Sequence, residues 1–132
     1  MTELSSGGKS ADLDWVDDEP SRRGGVTTCV CRTTIPADYI YFDGHFRGYP
    51  VLAGVVQLHE LALPCVRRLR PDLASLSKLS GLKFASRILP GDVVEVLVRW
   101  GDLGPAVHFE IFSNGHRCTQ GKLQFDTHEM ES

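Results

Sequence analysis

The sequence predicts an α+β domain in which a curved antiparallel sheet wraps one central helix. Three observations carry that prediction. Only residues 52–69 (LAGVVQLHELALPCVRRL) form an apolar run long enough for a buried helix. Residues 26–35 and 92–100 are rich in β-branched side chains, and the second of these alternates cleanly. The strand-like stretches after the helix are joined by short turns, LPGD and Asn114-Gly115, which suit antiparallel neighbours and leave no room for crossover helices. A helix that is apolar nearly all round has to be covered on most sides, and a curved sheet does that.

Taken in order, residues 1–10 (MTELSSGGKS) are small and polar and are expected to be a disordered tail, with residues 11–132 as a single domain. Residues 11–19 are acidic, anchored by Leu13, Trp15 and Val16, and fit a short strand pairing back onto the next one. PSRRGG reads as a loop. The strand from Val26 to Ile35 ends at Pro36 and Asp38, and residues 39–48 are aromatic and turn-like. The helix stops before Pro71. Within it, Gln57, Glu60, Pro64 and Arg67 share a polar stripe, whereas His59 lies with Val55, Val56, Ala62, Leu63 and Val66 on the apolar side. Pro64 has no N–H to give the carbonyl of Glu60, which predicts a kink there. Next come a strand from Leu79 to Ile88, the LPGD turn, and a strand from Asp92 to Trp100 with Val94, Val96, Val98 and Trp100 on one face. Beyond a turn at 101–105, Val107, Phe109 and Ile111 make the inner face of the next strand. Asn114-Gly115 then turns the chain into a last strand from His116 to Phe125.

Composition narrows the function. The chain is 42% hydrophobic and 23% charged with a formal charge of −3, and no Lys/Arg cluster is interleaved with aromatics, which argues against nucleic acid as a partner. Arg67, Arg68 and Arg70 form a basic knot at the helix end, where cations offset the helix dipole; the alternative is a patch that receives an acidic carrier protein. The four cysteines have neither CxxC spacing nor a histidine pair at zinc-finger distance. They read as free, mostly buried thiols in a reducing cytoplasm, with Cys29 and Cys31 on one side of their strand. The chain opens on no apolar leader, and no stretch reaches the roughly 18 apolar residues of a membrane span, so a cytoplasmic protein without membrane contact is expected.

The chemistry concentrates in residues 45–59, HFRGYPVLAGVVQLH. His45 follows Gly44 in a turn-rich segment. Gly54 starts the helix, where N–H groups without intrahelical partners suit a carbonyl or a developing oxyanion. His59 sits on the apolar side, where burial would keep it neutral and able both to accept and to donate a proton. Taken singly, each has a blander reading, as a satisfied core histidine or a glycine that allows close packing. Together they are the groups needed to move protons on an acyl substrate.

These residues resemble the FabA/FabZ-type 3-hydroxyacyl-acyl carrier protein dehydratases, whose stretch looks like GHFPGxPVxPGVxxxE with E or D in the final place. Here it reads from Gly44 through His45, Phe46, Arg47, Gly48, Tyr49, Pro50, Val51, Leu52, Ala53 and Gly54 to Val55, and KF…ILPGD from Lys83 to Asp92 also matches. The similarity spans roughly residues 25–125, and VLAGVVQLH looks closer still to the ApeI-like branch. The resemblance implies the hotdog fold, with His45 as catalytic histidine and the N–H of Gly54 polarising the thioester carbonyl. It places Phe46 and Val55 with Gly54 in substrate binding. The family's catalytic carboxylate falls on His59, and two motif prolines are Arg47 and Ala53. Glu60 stands one place late and about 100° around the helix, and the second catalytic role goes to His59 because its face is the one expected to be buried.

The implied activity is dehydration of a 3-hydroxyacyl thioester to the trans-2-enoyl thioester, in fatty acid, aryl polyene or related lipid or polyketide biosynthesis. The implied partner is an acyl carrier protein bearing a phosphopantetheine-linked acyl chain. No metal or cofactor is called for. The acyl tunnel would lie at a homodimer interface, with higher assembly left open. A hotdog acyl thioesterase and a non-catalytic acyl-binding or partner subunit are the rival readings.

Overall fold

The computed structural model describes residues 12–39, 54–102 and 104–127; the expected tail at 1–10 lies outside them. The described strands form one antiparallel sheet. Two short strands, β1 (Val16–Asp17) and β2 (Ser21–Arg23), both lie along β3 (Val26–Thr34). The helix follows as three contiguous segments: α1 (Gly54–Val56), a π-helical stretch (Gln57–Ala62) and α2 (Leu63–Leu69). Then come β4 (Leu73–Phe84), β5 (Val93–Gly101), β6 (Ala106–Ser113) and β7 (His116–Thr127). The spatial order is β1-β3-β5-β6-β7-β4, with β2 also on β3. The strand after the helix therefore crosses to the far edge of the sheet, while β5, β6 and β7 return as a meander.

One core joins helix and sheet. Leu61, Ala62, Cys65 and Val66 from the helix are fully buried among Cys31 of β3, Val94, Val96 and Val98 of β5, Val107, Phe109 and Ile111 of β6, and Leu123 of β7. Strands from one edge of the sheet to the other contribute to that single cluster. A sheet can do this only by curving around the helix, which is the α+β architecture expected. The alternation expected for β5 holds, with Trp100 half-buried at its end. At Asn114-Gly115 both residues take positive φ, 50° and 87°, the geometry that makes a two-residue turn match the twist of its strands.

The structure corrects three expectations. PSRRGG is not all loop: Ser21–Arg23 pairs with Val26–Thr28 as β2, and the chain turns at Gly24-Gly25. The strand after the helix is Leu73–Phe84 rather than Leu79–Ile88. Its register with β7 shifts repeatedly, at Leu73/Leu76, Leu76/Lys78 and Ser80/Lys83, so no period-2 pattern marks it in the sequence. Ile88 is fully buried but belongs to the connection before β5.

The irregularity expected at Pro64 takes the form of a π-helical stretch just before it, in which the N–H of Leu63 donates to the carbonyl of Leu58. Widening the turn accommodates a proline whose ring would collide with the carbonyl four residues back. The third correction is to the helix faces. The side of the helix buried against the sheet carries Gln57, Leu61, Ala62, Cys65 and Val66. Gln57, expected on the polar stripe, is buried, and His59, expected on the buried side, is exposed, on the π-helical stretch whose spacing departs from that of an α-helix.

Candidate functional site

The start of the helix is held against the outer edge of the sheet. The Phe84 ring, at the end of β4, lies on the Cα of Gly54: a Cβ there would stand 2.6 Å from Phe84 Cζ and 2.7 Å from Cε1. Only glycine lets the ring approach this closely. Phe84 is 51% exposed, so its ring walls one side of the first helical turn while keeping an open face. Thr119 of β7 is the register partner of Phe84. One turn after Gly54, the side chain of Gln57 accepts a hydrogen bond from the Thr119 hydroxyl, and both residues are buried. A buried polar pair of this kind is stabilising only when satisfied, and it fixes where the helix start sits relative to β7.

The KF…ILPGD stretch supplies the rest of this wall. After Phe84, the N–H groups of Ala85 and Ser86 donate to the carbonyl of Cys118, at 2.7 and 3.3 Å. Ile88 then plugs into the core. Asp92 closes the turn: its carboxylate accepts from the N–H of Leu89 (2.9 Å), the hydroxyl of Ser113 (2.6 Å) and the amide of Asn114 (3.2 Å). Backbone bonds between Ile35 and the pair Gly91 and Asp92 tie this turn to the end of β3.

His59 is exposed on the π-helical stretch, and Glu60 beside it is half-buried. His45 and Phe46 lie outside the described residues, and of Val55 only the helical backbone is described. The described part of the site is therefore Gly54, Phe84, Gln57 and Thr119, with His59 and Glu60 further along the same helix. Sequence reasoning missed Phe84, Gln57 and Thr119 as site residues. Phe84 was within reach, since it is the aromatic of the KF pair. The Gln57–Thr119 bond joins residues 62 apart in the chain and leaves no local signal.

The arginine knot is used within the chain. The Arg68 guanidinium pairs with Asp17 (2.9 and 2.7 Å) and stacks 5.0 Å from the Trp15 ring. Arg70 pairs with Asp72 and stands over Trp100, and Arg67 caps the carbonyls of Leu73 and Ala74 and stands over Phe125. The three side chains weld the helix end to β1, β5 and β7. The hydrogen bond from Arg68 holds the Asp17 carboxyl below the ordinary aspartate value.

All four cysteines are free and buried, as expected. Burial pushes the Cys29 thiol up to about 11, and a hydrogen bond with Cys65, then burial, raise Cys31 further. These thiols are too protonated to act as nucleophiles. Among the described residues no group of three or more His, Cys, Asp or Glu side chains is placed to hold a metal ion, and no helix is long and apolar enough to cross a membrane.

Comparison with known proteins gives this geometry a family. A 3-hydroxyacyl-[acyl-carrier-protein] dehydratase FabZ of Pediococcus pentosaceus is 28% identical over 124 residues, covering 86% of this chain and 79% of that protein. A FabZ of Anaeromyxobacter sp. is 37% identical over 68 residues, 44% of this chain and 43% of that protein. Among solved structures, an uncharacterized protein from Erwinia carotovora superposes with a TM-score of 0.71 at 20% identity, over 87% of this chain and 95% of that one. The dehydratase heterocomplex ApeI:P from Xenorhabdus doucetiae gives 0.67, also at 20%, over 85% and 97%. The model of the ApeI-like family, described as ApeI dehydratase, matches residues 21–122, from β2 through most of β7. The chain therefore belongs to the ApeI-like family of hotdog-fold dehydratases.

Proposed function

We propose that this chain removes water from a 3-hydroxyacyl thioester carried on the phosphopantetheine arm of an acyl carrier protein, leaving the trans-2-enoyl thioester. The observation that carries the reading is the side-chain-free helix start at Gly54 beneath the half-exposed Phe84 ring, in a chain that belongs to this family. A thioester carbonyl seated on the first-turn N–H groups would be polarised, acidifying the α-carbon. His45 would take the α-proton, and His59 would orient the β-hydroxyl or give it a proton as it leaves as water. A positioned acid or base of this kind typically contributes ~10²–10⁴-fold. Phe46 and Val55 would line the acyl path with Gly54.

The proposed setting is a cytoplasmic homodimer. Among the described strands β4 stands at the sheet edge, and its outer side is what a second copy could extend. The exposed flank of the helix that carries His59 is then available to face a partner's His45. The test is hydration of a 2-enoyl thioester, followed by loss of enoyl absorbance. His45→Ala should abolish it in a folded protein, and His59→Ala should lower it at least about tenfold. Full activity in His59→Ala beside a dead Glu60→Ala would move the second role to Glu60. Release of free thiol in place of enoyl chemistry would indicate a thioesterase.

One observation favours a second reading, that of a subunit working through a partner. Position 59 is His where the resembled pattern has Glu or Asp, and one of the similar solved structures is a dehydratase heterocomplex. Mass spectrometry of acyl-carrier intermediates with and without this chain separates that role from independent catalysis.

A further inference from the structure

The outer face of the sheet, opposite the helix, carries a row of cations without counter-charges. Register places Arg99 of β5 opposite His108 of β6, His108 opposite Lys122 of β7, and Lys122 opposite Ser80 of β4. Their neighbours Val98, Val107, Phe109 and Leu123 are buried in the core, so these side chains project from the other face. Like charges directly opposite one another across strands are destabilising. Here two permanent cations flank an imidazole, and among the described residues none of the three has a hydrogen-bond or ion-pair partner. Two other arginines on this sheet are matched, Arg32 with Asp18 and Glu95, and Arg117 with Glu110. Glu110, the carboxylate closest to the row along β6, is thus already engaged.

The row opens into a groove of about 310 Å³, where β4 bulges between Ser80 and Lys83 and Gly81 contributes no side chain. Ser80 and Gln120 add a hydroxyl and an amide to its lining, and the Arg117-paired Glu110 lines it as well. Such an arrangement departs from ordinary pairing rules at a concave place, which is where a ligand supplies the missing charge.

We propose that this groove binds a phosphate group, held by Arg99, His108 and Lys122 with Ser80 and Gln120 as neutral donors. The site lies on the opposite face from Gly54 and does not depend on the dehydratase reading. Two flanking cations and an imidazole that can take up a proton match a dianion better than a single carboxylate does. Burial, then the charges of Arg99 and Lys122, hold the His108 pKa below its ordinary value. The groups facing His108 are Arg99 from β5, Lys122 from β7 and the Arg117-paired Glu110 on its own strand. A bound phosphate would favour the protonated ring, so binding should raise the pH at which His108 titrates.

The test is titration of the full chain with inorganic phosphate at constant ionic strength, followed by amide chemical shifts. The expected result is saturable shifts around residues 99, 108 and 122, and affinity about tenfold weaker in Arg99→Ala and in Lys122→Ala. Arg87→Ala, a surface control elsewhere, should bind as the parent does, and the ring signals of His108 should titrate at higher pH with phosphate than without it. Sedimentation with phosphatidic acid vesicles against phosphatidylcholine vesicles separates the two sources of the group. Vesicle binding that phosphate competes away indicates a lipid headgroup; phosphate binding without vesicle binding indicates a soluble phosphate ester. Shifts that do not saturate, equal shifts with sodium chloride, or unchanged affinity in both alanine variants would overturn the proposal.

Discussion

The contact between Gly54 and Phe84 can be tested by a single methyl group. Gly54→Ala places a Cβ 2.6 Å from Phe84 Cζ, where carbon atoms normally approach to about 3.5–4.0 Å, so the ring must retreat by roughly 1 Å. Overpacking of this kind costs ~1–3 kcal/mol. The backbone at Gly54 is helical, and alanine recovers up to ~1 kcal/mol of helix preference there. Because Phe84 is half-exposed, its ring can swing outward, which holds the net cost to about 0–2 kcal/mol. In a Phe84→Ala background the collision disappears and the same methyl should become neutral or stabilising. The coupling between the two sites should then be ~1–3 kcal/mol. Urea unfolding of the four proteins at one concentration measures it. An equal cost of Gly54→Ala in both backgrounds would refute the contact. Enoyl hydration adds a second readout: if the helix start receives the thioester carbonyl, Gly54→Ala loses ~10²-fold or more in turnover, far beyond what its stability change explains.

Three further outcomes follow from the geometry. Asp92→Ala removes the acceptor for Leu89, Ser113 and Asn114 and strands the buried Ser113 hydroxyl; thermal unfolding should report a loss of ~1–3 kcal/mol, and a loss below ~0.5 kcal/mol would contradict the role of the carboxylate as hub of the turn. The Asp17 carboxyl is held below its unfolded value by Arg68, so its contribution is present above the unfolded aspartate pKa of about 3.9 and is lost as pH falls through the lower folded value. Stability of the parent should therefore fall more steeply below about pH 4 than that of Asp17→Asn, and parallel acid limbs would count against the Asp17–Arg68 clamp. All four thiols are buried and those of Cys29, Cys31 and Cys118 are raised, so a thiol reagent at neutral pH should label none in the folded chain and all on unfolding; rapid labelling of the native protein would argue against this packing.

The site was only partly legible in the sequence. Gly54 at a helix start followed from the apolar run and its position, and the structure puts it there. The exposure of His59 did not. An α-helical wheel assumes 3.6 residues per turn, and the π-helical stretch that holds His59 departs from that spacing. The Arg67, Arg68 and Arg70 knot looked equally suited to the helix dipole or to an acidic partner. Only the folded chain brings Asp17, Trp15, Trp100 and Phe125 up to meet it.

By itself, the sequence determined what local chemistry controls: β5 with its valine alternation, the Asn114-Gly115 turn, the stop before Pro71, and the motif residues from Gly44 to Val55 that point to a family. Tertiary structure decided what depends on partners distant in the chain. β4 became a strand against its weak pattern because β7 offers a ladder and bulges absorb the mismatch. Gln57 was buried because Thr119 can satisfy it, and Phe84 reached Gly54 because the strand crosses to the far edge of the sheet. Periodicity encodes how a segment folds upon itself. Which face another element covers is settled only when the sheet closes around the helix.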